Sequence, residues 1–349
     1  MPTKAALSGL SLAVLVAAGC GPREELATGQ GQYHQTTTNA FTLNAFTLNA
    51  FTLNAFTLNA FTLNAFTLNG VDMSSVQKEG TLLTEVKLDR TRLVGKRAAS
   101  YLSETDLSGV TMNVEVTNGQ TTQLRIDAAT WDSTIGIYKY TLSLATDQGW
   151  VSPCGTENGQ PIPAIFLAGS WSMVTGAALS RQDKFTPACF GSALAKCVLW
   201  GYAPWAEVQE CSDGKCVSQA VKDWHQACTR LVRADYCGDG VAHTRNGTPI
   251  DPWDNLGIQV RSPELWEVEA DWGVDGAQCI RHTRWVSANN QVAGAETDLG
   301  YIQRVCPSRL AASNPAGCDP TTSNFLSSVG LHTPPHKRLL IRNSSPPPQ

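Results

Sequence analysis

RLVRADYCGDGVAHT, residues 230 to 244, gathers arginine, aspartate, cysteine and histidine into fifteen positions. Three readings compete for it: a catalytic site, a metal site, or the crowded corner of a disulfide-bonded fold. Just upstream, Val221, Trp224, His225, Cys228, Leu231 and Val232 recur at i, i+3, i+4 and i+7 and predict a helix leading into the corner. Cys228 then faces inward, while Lys222, Asp223, Gln226, Thr229 and Arg230 cover the outer face. Beyond the helix, Arg233 is placed to pair with Asp235 or to cap the last carbonyls. Cys237 fastens the loop, and Gly238 and Gly240 permit sharp turns around Asp239.

The cysteines set the wider frame. Apart from Cys20 they are Cys154, Cys189, Cys197, Cys211, Cys216, Cys228, Cys237, Cys279, Cys306 and Cys318. An even number in an exported chain reads as five disulfides, with connectivity left open. A shorter helix is expected near Leu194, Cys197, Val198 and Gly201.

Export is read from the N-terminus. One lysine precedes an uncharged stretch from Ala5 to Ala18, too short to span a bilayer comfortably and ending in small residues. Val16-Ala17-Ala18-Gly19-Cys20 resembles the lipobox of bacterial lipoproteins, which implies that Cys20 is lipidated and becomes the new N-terminus. Acyl chains anchor through about 0.8 kcal/mol per buried CH₂, so several together hold a domain on a membrane. The expected location is the outer membrane or cell surface. A formal charge of −4 gives no basic field for nucleic acid.

Residues 39 to 68 are six identical copies of NAFTL. A period of five matches neither the 3.6 of a helix nor the 2 of a strand, and alternate phenylalanines of an extended chain would face opposite ways. The segment reads as a tether between lipid and domain.

The organisation that follows is an export signal at 1–20, a repeat-bearing linker at 21–70, a β-rich part at 71–148, a cysteine-rich part at 149–318 and a loose tail at 319–349. The β-rich part shows alternation through Leu82–Leu88, Met112–Val116, Leu124–Ile126 and Tyr138–Leu144, with Asn118-Gly119 as a hairpin turn. The tail is inferred from the proline-punctuated PPHKRLLIRNSSPPPQ. The fold class is α+β: a β-rich N-terminal half, then a disulfide-stapled half with two or so helices.

Three segments together carry a resemblance: ACFGSALAKCVLWGYAPW from Ala188, HQACTRLVRADYCGDG from His225, and HTRNGTPIDPWD from His243. They resemble the ADYC domain of secreted and lipid-anchored bacterial proteins common in myxobacteria, with Ala234-Asp235-Tyr236-Cys237 as the eponymous tetrapeptide. The resemblance runs roughly from Leu82 to Cys306. It implies a location and a domain, and no reaction.

Catalysis would need Cys237 as nucleophile, His243 or His282 as base, and Asp235, Asp239 or Asp251 to orient that base. Neither a CGSCW-like segment nor GxSxG is present. Zinc could use His225 and Cys228 with Cys211 and Cys216. Calcium could use Asp235, Asp239, Asp251 and Asp254, although the spacing lacks the D-x-D-x-D-G pattern. The structural reading accounts for more of these residues at once, so no metal or cofactor is expected. A surface binding or structural module leads, with an exported hydrolase or a calcium-stabilised domain as the alternatives. Nine of the ten tryptophans follow Gln148, and exposed indoles would suit a peptide, glycan or protein ligand.

Overall fold

The computed structural model describes residues 70–115, 121–212, 215–245, 247–254, 256–262, 266–288, 296–313 and 339–348. The N-terminal segment with Cys20, the NAFTL copies, the Asn118-Gly119 turn and Cys318 lie outside the described residues. The fold is α+β and strand-rich, as the alternation upstream and the helical spacing downstream predict.

Strands dominate the first half because apolar residues alternate there. Val110, Met112 and Val114 are buried, while Thr111 is half-buried and Asn113 and Glu115 are exposed. Leu124 and Ile126 meet Leu144 and Leu142 across the longest strand pair, Thr121–Asp132 with Ile137–Thr146. These strands belong to a sheet of nine among the described residues. Its order is Val71–Asp72, Lys184–Cys189, Ala164–Ala168, Ile137–Thr146, Thr121–Asp132, Val110–Glu115, Gln77–Lys78 and Thr81–Leu82, with Gly149–Val151 beside Ile137–Thr146. Tyr140 stacks on Phe166 with ring centroids 4.0 Å apart in the core beneath. Each fully buried large side chain there contributes about 1.5–3 kcal/mol.

The division expected after Gln148 falls inside this sheet, which continues to Cys189. That boundary rests on where cysteines begin, and cysteines mark covalent staples rather than sheet membership. Cys154–Cys189 accordingly ties a loop to a strand of the large sheet.

The rest of the fold holds three helices, among the described residues, and a second sheet on which the longest of them packs. Helix α1 is Ala193–Leu199, with the Ser192 hydroxyl accepting the Ala195 N–H at 3.3 Å as its cap. Helix α2 is Lys222–Arg233, and Cys197–Cys228 staples the two. Helix α3, Asp298–Val305, has no counterpart in the sequence reading. The second sheet runs Asp251–Asp254, Ile341–Ser344, Val268–Gly273, Gly276–Ile280, all antiparallel. Trp224, Leu231, Trp272 and Ile341 share its core with α2.

The remaining cysteines of the expected set follow from this frame. Cys279 lies fully buried on the strand Gly276–Ile280 and is disulfide-bonded. Three complete bonds are described, Cys154–Cys189, Cys197–Cys228 and Cys237–Cys306, so the partner of Cys279 lies outside the described residues. Cys211 and Cys216 are register partners on the hairpin Glu207–Ser212 with Lys215–Ala220, and their side chains also lie outside the described residues.

Two corrections follow. Residues 341–344, expected in a loose tail, form an interior strand because Leu340 and Ile341 supply apolar surface and Asn343 supplies hydrogen bonds to the core. The outer face of α2 is also not outside: Gln226, Thr229 and Arg230 are buried. The hairpin of Ser170–Trp171 and Ala178–Leu179 covers it, and Gln226 holds that hairpin through Trp171, Ala178 and Gly176. Polar residues on a helix thus mark hydrogen-bonding demand as well as solvent.

Candidate functional site

Helix α2 ends because Ala234 turns left-handed, at φ 50° and ψ 42°. The Ala234 N–H donates to Leu231 at 3.0 Å and the Asp235 N–H to Arg230 at 2.9 Å, the paired bonds of a Schellman ending. Glycine usually fills this place. An alanine there accepts about 1 kcal/mol of backbone strain, and its methyl is fully buried in the core.

Asp235 is fully buried. Its carboxylate pairs with the Arg230 guanidinium and accepts the Gly240 N–H at 3.2 Å. Arg230 forms this ion pair from within the helix, and it also binds the carbonyls of Thr175 and Val274, while the Asp235 charge acts on Arg233 as well. Arg233 donates to the Gly240 carbonyl. The covered face of α2 brings Arg230 inward, which periodicity alone assigned to solvent.

Tyr236 is the hub of a larger network. Its hydroxyl donates to Glu269 Oε1 at 3.0 Å and accepts the Arg284 backbone N–H at 3.0 Å. Glu269 pairs with Arg284 Nε at 2.8 Å and accepts Asn343 Nδ2 at 2.7 Å. Asn343 Oδ1 accepts Trp272 Nε1 at 2.7 Å, and Arg284 Nη2 reaches the Leu231 carbonyl at the end of α2 at 2.6 Å. The Tyr236 ring stacks on Trp272 at 5.4 Å and 23°. Burial, followed by the Glu269 charge, pushes the Tyr236 phenol well above its ordinary pKa, so it stays protonated and donates.

Cys237 is bonded to Cys306 just past α3, across a separation of 69 residues. The glycines then let two backbones touch. A Cβ on Gly238, at φ +72°, would lie 1.8 Å from the Asp275 carbonyl oxygen. One on Gly240, at φ +90°, would lie 2.1 Å from the Val174 carbonyl oxygen.

The other candidate residues do not converge on Cys237. His243 Nδ1 meets Asp298 Oδ1 at 2.8 Å, and its ring lies between Tyr236 and Tyr301 with only 2% exposed. Among the described residues nothing hydrogen-bonds its Nε2. His282 faces the backbone carbonyls of Thr283 and Glu267. The chain thus holds the base-orienting half of a relay, but the thiol proposed as its nucleophile is oxidised and the imidazole is shut away from solvent.

The metal alternatives are dispersed in the same way. Asp239 accepts Val241 N–H at 3.0 Å and the Tyr301 hydroxyl at 2.7 Å, and burial together with this carboxylate pushes Tyr301 up to about 12. Asp251 accepts the Ser262 N–H. Asp254 binds three backbone N–H groups and the Tyr202 hydroxyl, while burial raises its pKa. His225 Nε2 donates to the Leu194 carbonyl at 3.0 Å, and Cys228 is in its disulfide. No group of three or more His, Cys, Asp or Glu side chains among the described residues is arranged to hold a metal ion.

Sequence reasoning missed Glu269, Arg284, Asp298 and Asn343. Each lies more than thirty residues from the motif, and nothing in local spacing connects them to it. Every residue of the tetrapeptide has a fastening role. Ala234 turns the chain, Asp235 neutralises an arginine, Tyr236 anchors a network and Cys237 closes a loop.

Such a corner defines a disulfide-stapled α+β domain whose signature residues are architectural. The chain belongs to the ADYC domain family, whose model matches residues 104–286, more than half of its length. The match includes the tetrapeptide but neither Cys306 nor Asn343, on which it relies. Neither a curated protein nor a solved structure matches the chain. Several disulfides, and no helix among the described residues long and apolar enough to cross a membrane, are compatible with export.

Proposed function

We propose that this chain is an exported lipoprotein of the cell envelope, anchored through Cys20 and held off the membrane by the NAFTL tether. Its folded part serves as a surface binding or structural module. The observation that carries this reading is the Cys237–Cys306 bond, which uses the one thiol in the motif that a hydrolase would need. The lipobox-like VAAGC segment supports the anchor, and the identity of the six repeats supports a spacer of adjustable length.

Membrane fractionation with mass spectrometry of the mature N-terminus tests the anchor. The expected product partitions with membranes and begins at an acylated Cys20. A soluble product with another N-terminus contradicts it. Deleting residues 39–68 tests the tether and should leave the thermal midpoint nearly unchanged, whereas a large drop would mean that the repeats pack on the domain.

A further inference from the structure

Trp131 and Tyr138 are register partners on the two longest strands of the large sheet, and their rings stand 5.0 Å apart at 50°. Trp131 is 44% exposed. Beside them lies the tip of the hairpin formed by Thr84–Asp89 and Arg92–Arg97. The tip and the aromatic pair line a cleft of about 360 Å³, within the roughly 300–1,000 Å³ typical of small-ligand sites.

The cleft is braced before any ligand arrives. Thr91 Oγ1 accepts the Tyr138 N–H at 2.8 Å, and the Thr91 carbonyl accepts the Tyr140 hydroxyl at 2.9 Å. The Tyr140 oxygen accepts the Leu93 N–H at 2.8 Å. On the far wall, Glu104 Oε1 accepts the Trp131 N–H at 3.2 Å. Preorganisation of this kind reduces the ordering cost of binding.

Arg90 is the residue that folding does not explain. The Asp89–Arg92 pairing makes Arg90 and Thr91 a two-residue loop, where positive φ is normally left to glycine or asparagine. Arg90 sits there at φ 57°. Among the described residues neither Arg90 nor Arg92 forms an ion pair, and the Arg92 guanidinium lies 5.7 Å over the Tyr138 ring. A strained, unpaired cation at the lip of a braced cleft points to a ligand.

The wall chemistry narrows that ligand. Two guanidiniums face two carboxylates, Asp89 and Glu104, so the formal charges cancel and a bare anion is disfavoured. The polar rim disfavours a wholly apolar molecule. A ring with an apolar C–H face and a hydroxylated edge suits both features, with its face on the aromatics and its hydroxyls on the charged groups. We propose that this cleft binds a pyranose unit of a glycan, a proposal that rests on the binding-module reading above.

Titration of the mature full-length protein with cellohexaose, chitohexaose and maltohexaose, followed by tryptophan fluorescence and calorimetry, tests it. At least one should saturate, and Trp131→Ala should weaken it tenfold or more. Trp150→Ala, at an exposed ring outside the cleft, should leave binding unchanged. Arg90→Gly should raise the thermal midpoint by relieving the left-handed backbone, yet weaken binding tenfold, which separates recognition from folding. Binding by none of the three sugars, or binding that survives both Trp131→Ala and Arg90→Gly, overturns the proposal. A mature chain that does not begin at Cys20, or a free thiol at Cys237, would instead undo the reading on which it rests.

Discussion

The Arg284 guanidinium meets the Glu269 carboxylate at 2.8 Å with both side chains no more than 1% exposed. Tyr236, Asn343 and the last carbonyls of α2 complete the hydrogen bonding of this pair. A buried ion pair is retained without a net penalty only when its remaining donors and acceptors are satisfied, as they are here.

Arg284→Met should therefore destabilise by about 3–5 kcal/mol, because it strands a buried carboxylate. Tyr236→Phe should cost less, about 1–3 kcal/mol, since Arg284 still satisfies Glu269 while its own backbone N–H loses an acceptor. Chemical denaturation measures both. Equal effects would mean that the network is not organised around the ion pair.

A glycine pair separates steric contact from backbone conformation. Gly238 and Gly80 have nearly the same φ, +72° and +75°, but a Cβ at Gly238 meets backbone at 1.8 Å and one at Gly80 meets nothing within 4 Å. Gly80→Ala should cost about 1 kcal/mol. Gly238→Ala should cost several times more, because the Asp275 turn must move. Thermal melts of the two variants decide it.

Stability should begin to fall as the pH drops below about 6.5. Burial lowers His225 to about 4, while an unfolded histidine titrates near 6.5. The unfolded state takes up the proton first, so stability is full above about pH 6.5 and declines as the pH falls toward 4. The loss is on the order of 3 kcal/mol. His225→Gln should flatten that window in a series of denaturation curves, and an unchanged slope would assign the acid sensitivity elsewhere.

The sequence disclosed most where a periodicity had one interpretation. Leu124 and Ile126 against Leu142 and Leu144 announce paired strands, and Trp224, Cys228 and Leu231 announce α2. Gly238 and Gly240 announce tight turns. What stayed hidden depended on partners distant in the chain. Arg230 has the spacing of a solvent residue until the hairpin near Trp171 covers it. Asn343 sits among prolines and basic residues, and only the second sheet explains its burial. Asp298 becomes the partner of His243 through a helix too short to show a pattern. The cleft at Trp131 was illegible for the same reason: its two walls come from separate strand pairs.

The ADYC corner is a fastening, and Cys237 is part of it. A loop of 69 residues closed by this bond is worth about 4 kcal/mol in the chain-entropy model, so Cys237→Ser should unfold readily. The most direct measurement is alkylation of the mature protein, denatured without reductant, followed by peptide mapping. The expected result is no label at position 237 and a linked peptide joining Cys237 to Cys306. A single reactive thiol at Cys237, in a chain whose other disulfides are intact, would contradict it.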